Sequence, residues 1–172
     1  HLEHVYYNME LFGQNHWAPP MPRSYAPVMT MATVPIVSLL CAAVGVWLSR
    51  REVGPWLRVA WRRLGPRRFG RAASWHLSRR ARTTVFWALA IVVPYSAWLR
   101  PTTPIFGGTK HWLTTYPFLM LFAALGGAAA VVWLVDRLRR EGVRVRASAV
   151  AAAVAACLLA APVIETMASH PW

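Results

Sequence analysis

The chain has 172 residues, 56% of them apolar, with ten tryptophans and a formal charge of +13. That pairing of hydrophobicity and basicity excludes an ordinary soluble domain unless the two are segregated along the chain, and here apolar runs alternate with arginine clusters. A pI near 11.5 would also suit a nucleic-acid binder. Arginines placed between membrane-length apolar runs read instead as topogenic charge and as attraction to anionic headgroups, so no nucleic-acid partner is expected.

Residues 1–25 form a polar, aromatic opening that does not read as a signal peptide, since it lacks a basic start followed by an apolar run. His1, Glu3 and His4 lie close together there, but not at a ligand spacing of known mechanics, and no metal site is assigned. The first apolar run covers about residues 26–49, long enough to cross a bilayer, with Pro27 and Pro35 as kink points. Residues 50–82 follow, with 11 arginines. Within them Trp56, Leu57, Ala60, Trp61 and Leu64 share a helical face away from Arg58, Arg62 and Arg63, the pattern of an interfacial amphipathic helix that Gly65-Pro66 ends.

The second run, about 83–99, is short for a span and contains Pro94. After it comes the sequence TPIFGGTKHWLTTYPFLMLF, residues 103–122, in which the only lysine of the chain, Lys110, precedes His111 and Trp112. Lysine, histidine and tryptophan before a span are ordinary interfacial anchors, and they are also groups that can meet a phosphate at headgroup level. The third run is about 114–135 and contains Gly126 and Gly127. The fourth, about 147–167, is dominated by alanine and carries Glu165 near its end. Small residues let helix backbones approach closely in lipid, so the third and fourth runs are expected to pack on each other or on further neighbours. Cys41 and Cys157 fall inside apolar runs and read as small apolar side chains.

Sequence therefore predicts an all-α integral membrane protein with four transmembrane helices and a basic cytoplasmic amphipathic loop. Five arginines in residues 136–146 join the 11 of residues 50–82 on one side, against only Arg23, Arg100 and Lys110 elsewhere. That asymmetry places both basic segments in the cytoplasm and both ends of the chain outside. Five of the six histidines, His1, His4, His16, His111 and His170, then share the outer face.

Two stretches resemble the protein O-mannosyltransferase-like glycosyltransferases, family 39 of the GT-C superfamily, which occur in bacterial membranes. In residues 1–35 the matching positions are His1, His4, Tyr6, Tyr7, Gly13, Pro20, Pro22, Tyr25, Thr33 and Pro35, ending in a Thr-x-Pro element. The run PIFGGTKHWLTTYPFLMLFAALG is similar to that family's motif before a late transmembrane helix, and SHPW at the end resembles the start of a further outer segment. The resemblance implies a multi-pass protein of the bacterial plasma membrane that moves a sugar from a polyprenyl-phosphate donor to an acceptor on the extracytoplasmic face. It implies that this chain is the later part of such an enzyme, with partner helices and the catalytic acid in an N-terminal part not included here. Lys110, His111 and Arg100 would then meet the lipid phosphate, and His4 and Tyr7 the sugar or acceptor. No cofactor is assigned. The rival reading is a non-enzymatic four-span subunit or small transporter-like protein, with Glu165 in a pathway.

Overall fold

The computed structural model describes residues 9–17, 22–63, 78–98 and 108–169, with the backbone alone at 55–63, 108–109, 161–162, 165–166 and 169. The described chain is mostly helical, with one small sheet that the sequence reading did not anticipate. Strands β1 (Met9–Leu11) and β2 (Gln14–His16) pair antiparallel, Met9 opposite His16 and Leu11 opposite Gln14. Their two-residue connection has positive φ at both positions, 52° at Phe12 and 76° at Gly13, the backbone that lets a tight hairpin follow the strand twist. Glycine adopts it readily and phenylalanine does not. Three-residue strands are too short to write a period-two pattern, which is why the hairpin was illegible.

Helix α1 (Tyr25–Thr33) and helix α2 (Ile36–Arg63) divide the first apolar run. Between them the chain bends by 116°. The cause is local: Pro35 disfavours helical backbone at the residue before it, and Val34 is extended at φ −106°, ψ 127°. The expectation of a single helix over 26–49 with kinks is corrected to two helices and a sharp corner. A second correction concerns residues 55–63, Leu64 lying outside the described residues. The backbone of α2 runs on through Gly54 and Pro55 to Arg63, so the amphipathic stretch continues the apolar helix and is not a separate element.

Helix α3 (Arg79–Ala97) starts at Ser78, whose hydroxyl accepts the Ala81 N–H at 3.1 Å, an N-cap that satisfies one orphan donor. Two short 3-10 turns, Gly108–His111 and Leu113–Thr115, lead into helix α4 (Tyr116–Arg140). That helix opens with Pro117 in its first turn, where the missing N–H costs nothing. It closes on Gly142 at φ 80°, with Gly142 N–H donating to Arg139 O and Val143 N–H to Leu138 O. Those two bonds are a Schellman closure, and they turn the chain into helix α5 (Ala147–Ser169).

The packing directions follow from which residues meet. Leu39 of α2, Ile91 and Tyr95 of α3 and Leu119 of α4 line one cavity, while Glu52, Arg79 and Leu125 line another. Helices α2 and α4 thus run the same way, and α3 runs against them. Their tightest approach is a crossing of glycines. A β-carbon on Gly45 would overlap the carbonyl oxygen of Phe122, and one on Gly126 would overlap that of Cys41. Around this crossing Ala42, Phe122 and Ala123 are buried, with Trp87, Ile91 and Leu119 against them. Helix α5 packs on α4 where Gly127 meets Leu158.

Among the described residues one helix, Leu113–Arg140, is long and apolar enough to cross a membrane, its most apolar 18 residues having a mean hydropathy of 2.4. The bent pair Tyr25–Thr33 and Ile36–Gly54 makes a second if its halves are taken together.

Candidate functional site

At the end of the bundle that carries the hairpin and both 3-10 turns, Trp112 is completely buried. Its ring meets Trp98 edge-on at 5.0 Å between centroids, Tyr25 edge-on at 5.9 Å, and Tyr95 at 6.0 Å. Tyr25 stacks on Trp98 at 5.7 Å. Met9 and Leu11 of the hairpin close the cluster, and the Tyr25 hydroxyl donates to the Met9 sulfur at 3.9 Å. Each aromatic pair is worth about 0.5–1.5 kcal/mol beyond its burial. The cluster therefore pins α1, the end of α3, the hairpin and the 3-10 turns together.

This pinning positions the candidate residues. Lys110 and His111 immediately precede Trp112 in the first 3-10 turn. Lys110 is exposed, and His111 is half-buried with its ring 5.3 Å from that of Trp98. The buried indole anchors the backbone of this short turn, and with it the points from which Lys110 and His111 leave the chain.

Threonine hydroxyls fasten the same end. Thr30 donates to the Ala26 carbonyl at 2.9 Å and pairs with the Tyr95 hydroxyl. Thr33 donates to the Met29 carbonyl at 2.8 Å and takes the Tyr116 hydroxyl at 2.8 Å. With each threonine proton used on its own helix, the tyrosines are the donors across the gap. Thr115 donates to the Trp112 carbonyl at 2.6 Å. Beneath these contacts lies a cavity of about 270 Å³, lined by Pro27, Thr30, Leu39, Ile91, Tyr95 and Thr115 among others. It is mostly apolar and shares Tyr95 with the aromatic cluster.

One feature of the cluster is unusual. The indole N–H groups of Trp98 and Trp112 are buried and meet no acceptor among the described residues. A buried unpaired donor costs about 1–3 kcal/mol, and such groups are few in native proteins.

Of the residues assigned from sequence, the structure brings Lys110 and His111 to this end. Arg100, His4 and Tyr7 lie outside the described residues, as do His1 and His170, and the side chain of Glu165 is not described. Among the described residues no three His, Cys, Asp or Glu side chains gather as a metal site would require. In the sequence Trp112 reads as an interfacial anchor and Tyr25 and Thr33 as motif positions, while Trp98, Tyr95, Thr30 and Tyr116 carry no assigned role. Nothing in their spacing announces contacts between residues 65 and 83 positions apart.

No family model, no curated protein and no solved structure matches the chain.

Proposed function

We propose that the chain is an integral membrane protein whose hairpin end faces outward and holds the phosphate of a polyprenyl-phosphate sugar donor during glycosyl transfer. Three of the four spans are those read from sequence, about 83–99, 114–135 and 147–167; the first is α2 from Ile36 on in place of the full 26–49 run, with α1 lying across the outer boundary because of the corner at Pro35. Large apolar side chains support this placement. Leu40 and Val44 of α2, Phe86 and Val93 of α3, Val132 of α4 and Ile164 of α5 all lie open on helix surfaces. Water does not tolerate apolar surface on that scale, and lipid does. Within the most apolar stretch of Leu113–Arg140 only 28% is buried inside the protein, unlike the core helix of a soluble domain. In this placement α4, with Arg137, Arg139 and Arg140 in its last turn, carries its arginines to the same side as Arg50, Arg51, Arg79 and Arg80, the cytoplasm of a bacterium.

The observation that carries the functional reading is the Lys110–His111 turn anchored on Trp112, whose ring neighbour Tyr95 also lines an apolar cavity. A lipid phosphate at headgroup level needs a cation and hydrogen-bond donors, and its leaving charge needs the same groups held in place. Lys110 and His111 supply them, with Arg100 as the third candidate. The cavity lined by Tyr95 suits the first isoprene units. His4 and Tyr7 remain the candidates for sugar or acceptor contact. The carboxylate that deprotonates the acceptor hydroxyl would come from another part of the enzyme, as the resemblance to the family 39 glycosyltransferases implies.

Photo-crosslinking tests this reading. The chain in lipid nanodiscs should be labelled saturably by a photoreactive polyprenyl phosphate, and unlabelled polyprenyl phosphate should compete where polyprenol does not. Lys110→Ala with His111→Ala should lower the affinity roughly ten-fold to a hundred-fold, the weight of one or two charge-assisted hydrogen bonds. Labelling that polyprenol displaces equally well, or that the double variant leaves unchanged, contradicts the phosphate site.

A further inference from the structure

At the end of the bundle opposite the aromatic cluster, a cavity of about 700 Å³ opens between α2, α3 and α4. That volume falls in the roughly 300–1,000 Å³ range of small-molecule sites. Its α3 wall changes character turn by turn. Arg79 and Arg80 stand at the rim, Thr83 and Thr84 one turn further in, and Trp87 a turn beyond them. Residues four apart on a helix share a face, so this is one graded strip, charged, then hydroxylic, then aromatic. The facing wall also grades from charged to apolar, with Glu52 at the rim, Ser49 next and the aliphatic Leu48 and Leu125 inside. Neither Arg79 nor Arg80 forms an ion pair among the described residues. Two guanidinium groups against one carboxylate leave the rim net positive.

We infer that this cavity binds one anionic glycerophospholipid from the cytoplasmic leaflet, its phosphate on Arg79 and Arg80 and one acyl chain along Trp87 and Leu125. The ester region then sits at the level of Ser49 and Thr84. Thr83 is already committed, its hydroxyl donating to the Arg79 carbonyl at 3.1 Å. The gradient is what separates this site from the other arginines of the chain. Arg139 and Arg144 line a shallower recess built around the α4–α5 turn, with no aromatic side chain in its wall. A basic pocket between membrane helices on the cytoplasmic side is a lipid-headgroup site by its chemistry. The inference rests on the membrane placement proposed above, and not on the sugar-transfer reading.

The test titrates the full chain in detergent micelles with fluorescent phosphatidylglycerol. Binding should saturate at a single lipid, and phosphatidylcholine should compete poorly. Arg79→Gln with Arg80→Gln should weaken it by about 25-fold, roughly five-fold for each basic residue near the surface. The charge-matched control, Arg139→Gln with Arg140→Gln, should change it by less than about three-fold, since those charges act only through the screened field. Leu125→Trp keeps every charge and fills the apolar wall, and it should reduce binding too.

Equal losses in the two double variants overturn the site, because the lipid then senses only overall charge. Displacement of the lipid by inorganic phosphate, or full binding by Leu125→Trp, overturns the lipid as ligand in favour of a free anion. If the chain stays in solution when detergent is removed in the presence of vesicles, the membrane placement fails first and the lipid site falls with it.

Discussion

Trp112 is the residue on which the candidate site turns. It fills the centre of a cluster drawn from the hairpin, α1, α3 and the turn that bears Lys110 and His111. Truncating it leaves a cavity in four elements at once. Trp112→Ala should therefore cost about 3–5 kcal/mol, the usual range for a buried tryptophan, read as a lower midpoint of thermal unfolding in detergent. Trp112→Phe should recover most of that loss, since the indole N–H has no acceptor among the described residues to lose. If the alanine variant unfolds with the parent's midpoint, the anchoring role is wrong. Lys110 and His111 were legible from sequence because a lone lysine before a span is conspicuous. Their anchor's partners were not, because Tyr25, Tyr95 and Trp98 come from distant stretches and only the folded chain brings them to Trp112.

At the scale of elements, the glycines decide which helices touch. Gly126 and Gly127 are neighbours in sequence, yet Gly126 lies against the backbone of α2 and Gly127 against the Leu158 side chain of α5. Small residues here imply close helix contact, and the sequence points to the fourth run or further neighbours as partners of the third; the tighter contact is with α2. Periodicity could not have settled this, because consecutive residues on a helix point about a quarter-turn apart and nothing local says which neighbour stands where. The difference is testable. Gly126→Ala must push two backbones apart and should destabilise strongly. Gly127→Ala meets only a movable leucine methyl at 3.3 Å and should shift the unfolding midpoint far less. Equal effects would mean that the α2–α4 crossing is not as close as described. The corner at Pro35 belongs to the same scale. A proline in the run was visible from sequence, but the size of the bend depends on what α1 packs against, here through the Thr30–Tyr95 and Thr33–Tyr116 pairs.

At the scale of the molecule, the aromatic cluster and most of the described arginines lie at opposite ends. The hairpin, Tyr25, Trp98 and Trp112 gather at one end. Arg79 and Arg80 mark the other beside Glu52, with the last turn of α4 supplying Arg137, Arg139 and Arg140. This sorting was the most legible feature of the sequence, since it needs only the alternation of apolar and basic runs. What the sequence overstated was regularity: one apolar run became two helices, and a stretch read as a separate amphipathic helix continued α2. The proposed phosphate site and the proposed lipid site both depend on one proposed arrangement, with the aromatic end outside and the arginines inside.

The measurement that tests this most directly is sided labelling in intact cells. With Cys41 and Cys157 replaced by alanine, a cysteine is placed either at Gln14 on the hairpin or at Arg144 after α4, both exposed positions. A membrane-impermeant maleimide should label Gln14→Cys in whole cells and Arg144→Cys only after the cells are opened. Labelling of Arg144→Cys from outside, or of neither cysteine until lysis with the chain recovered in the soluble fraction, would contradict the placement on which the proposed function stands.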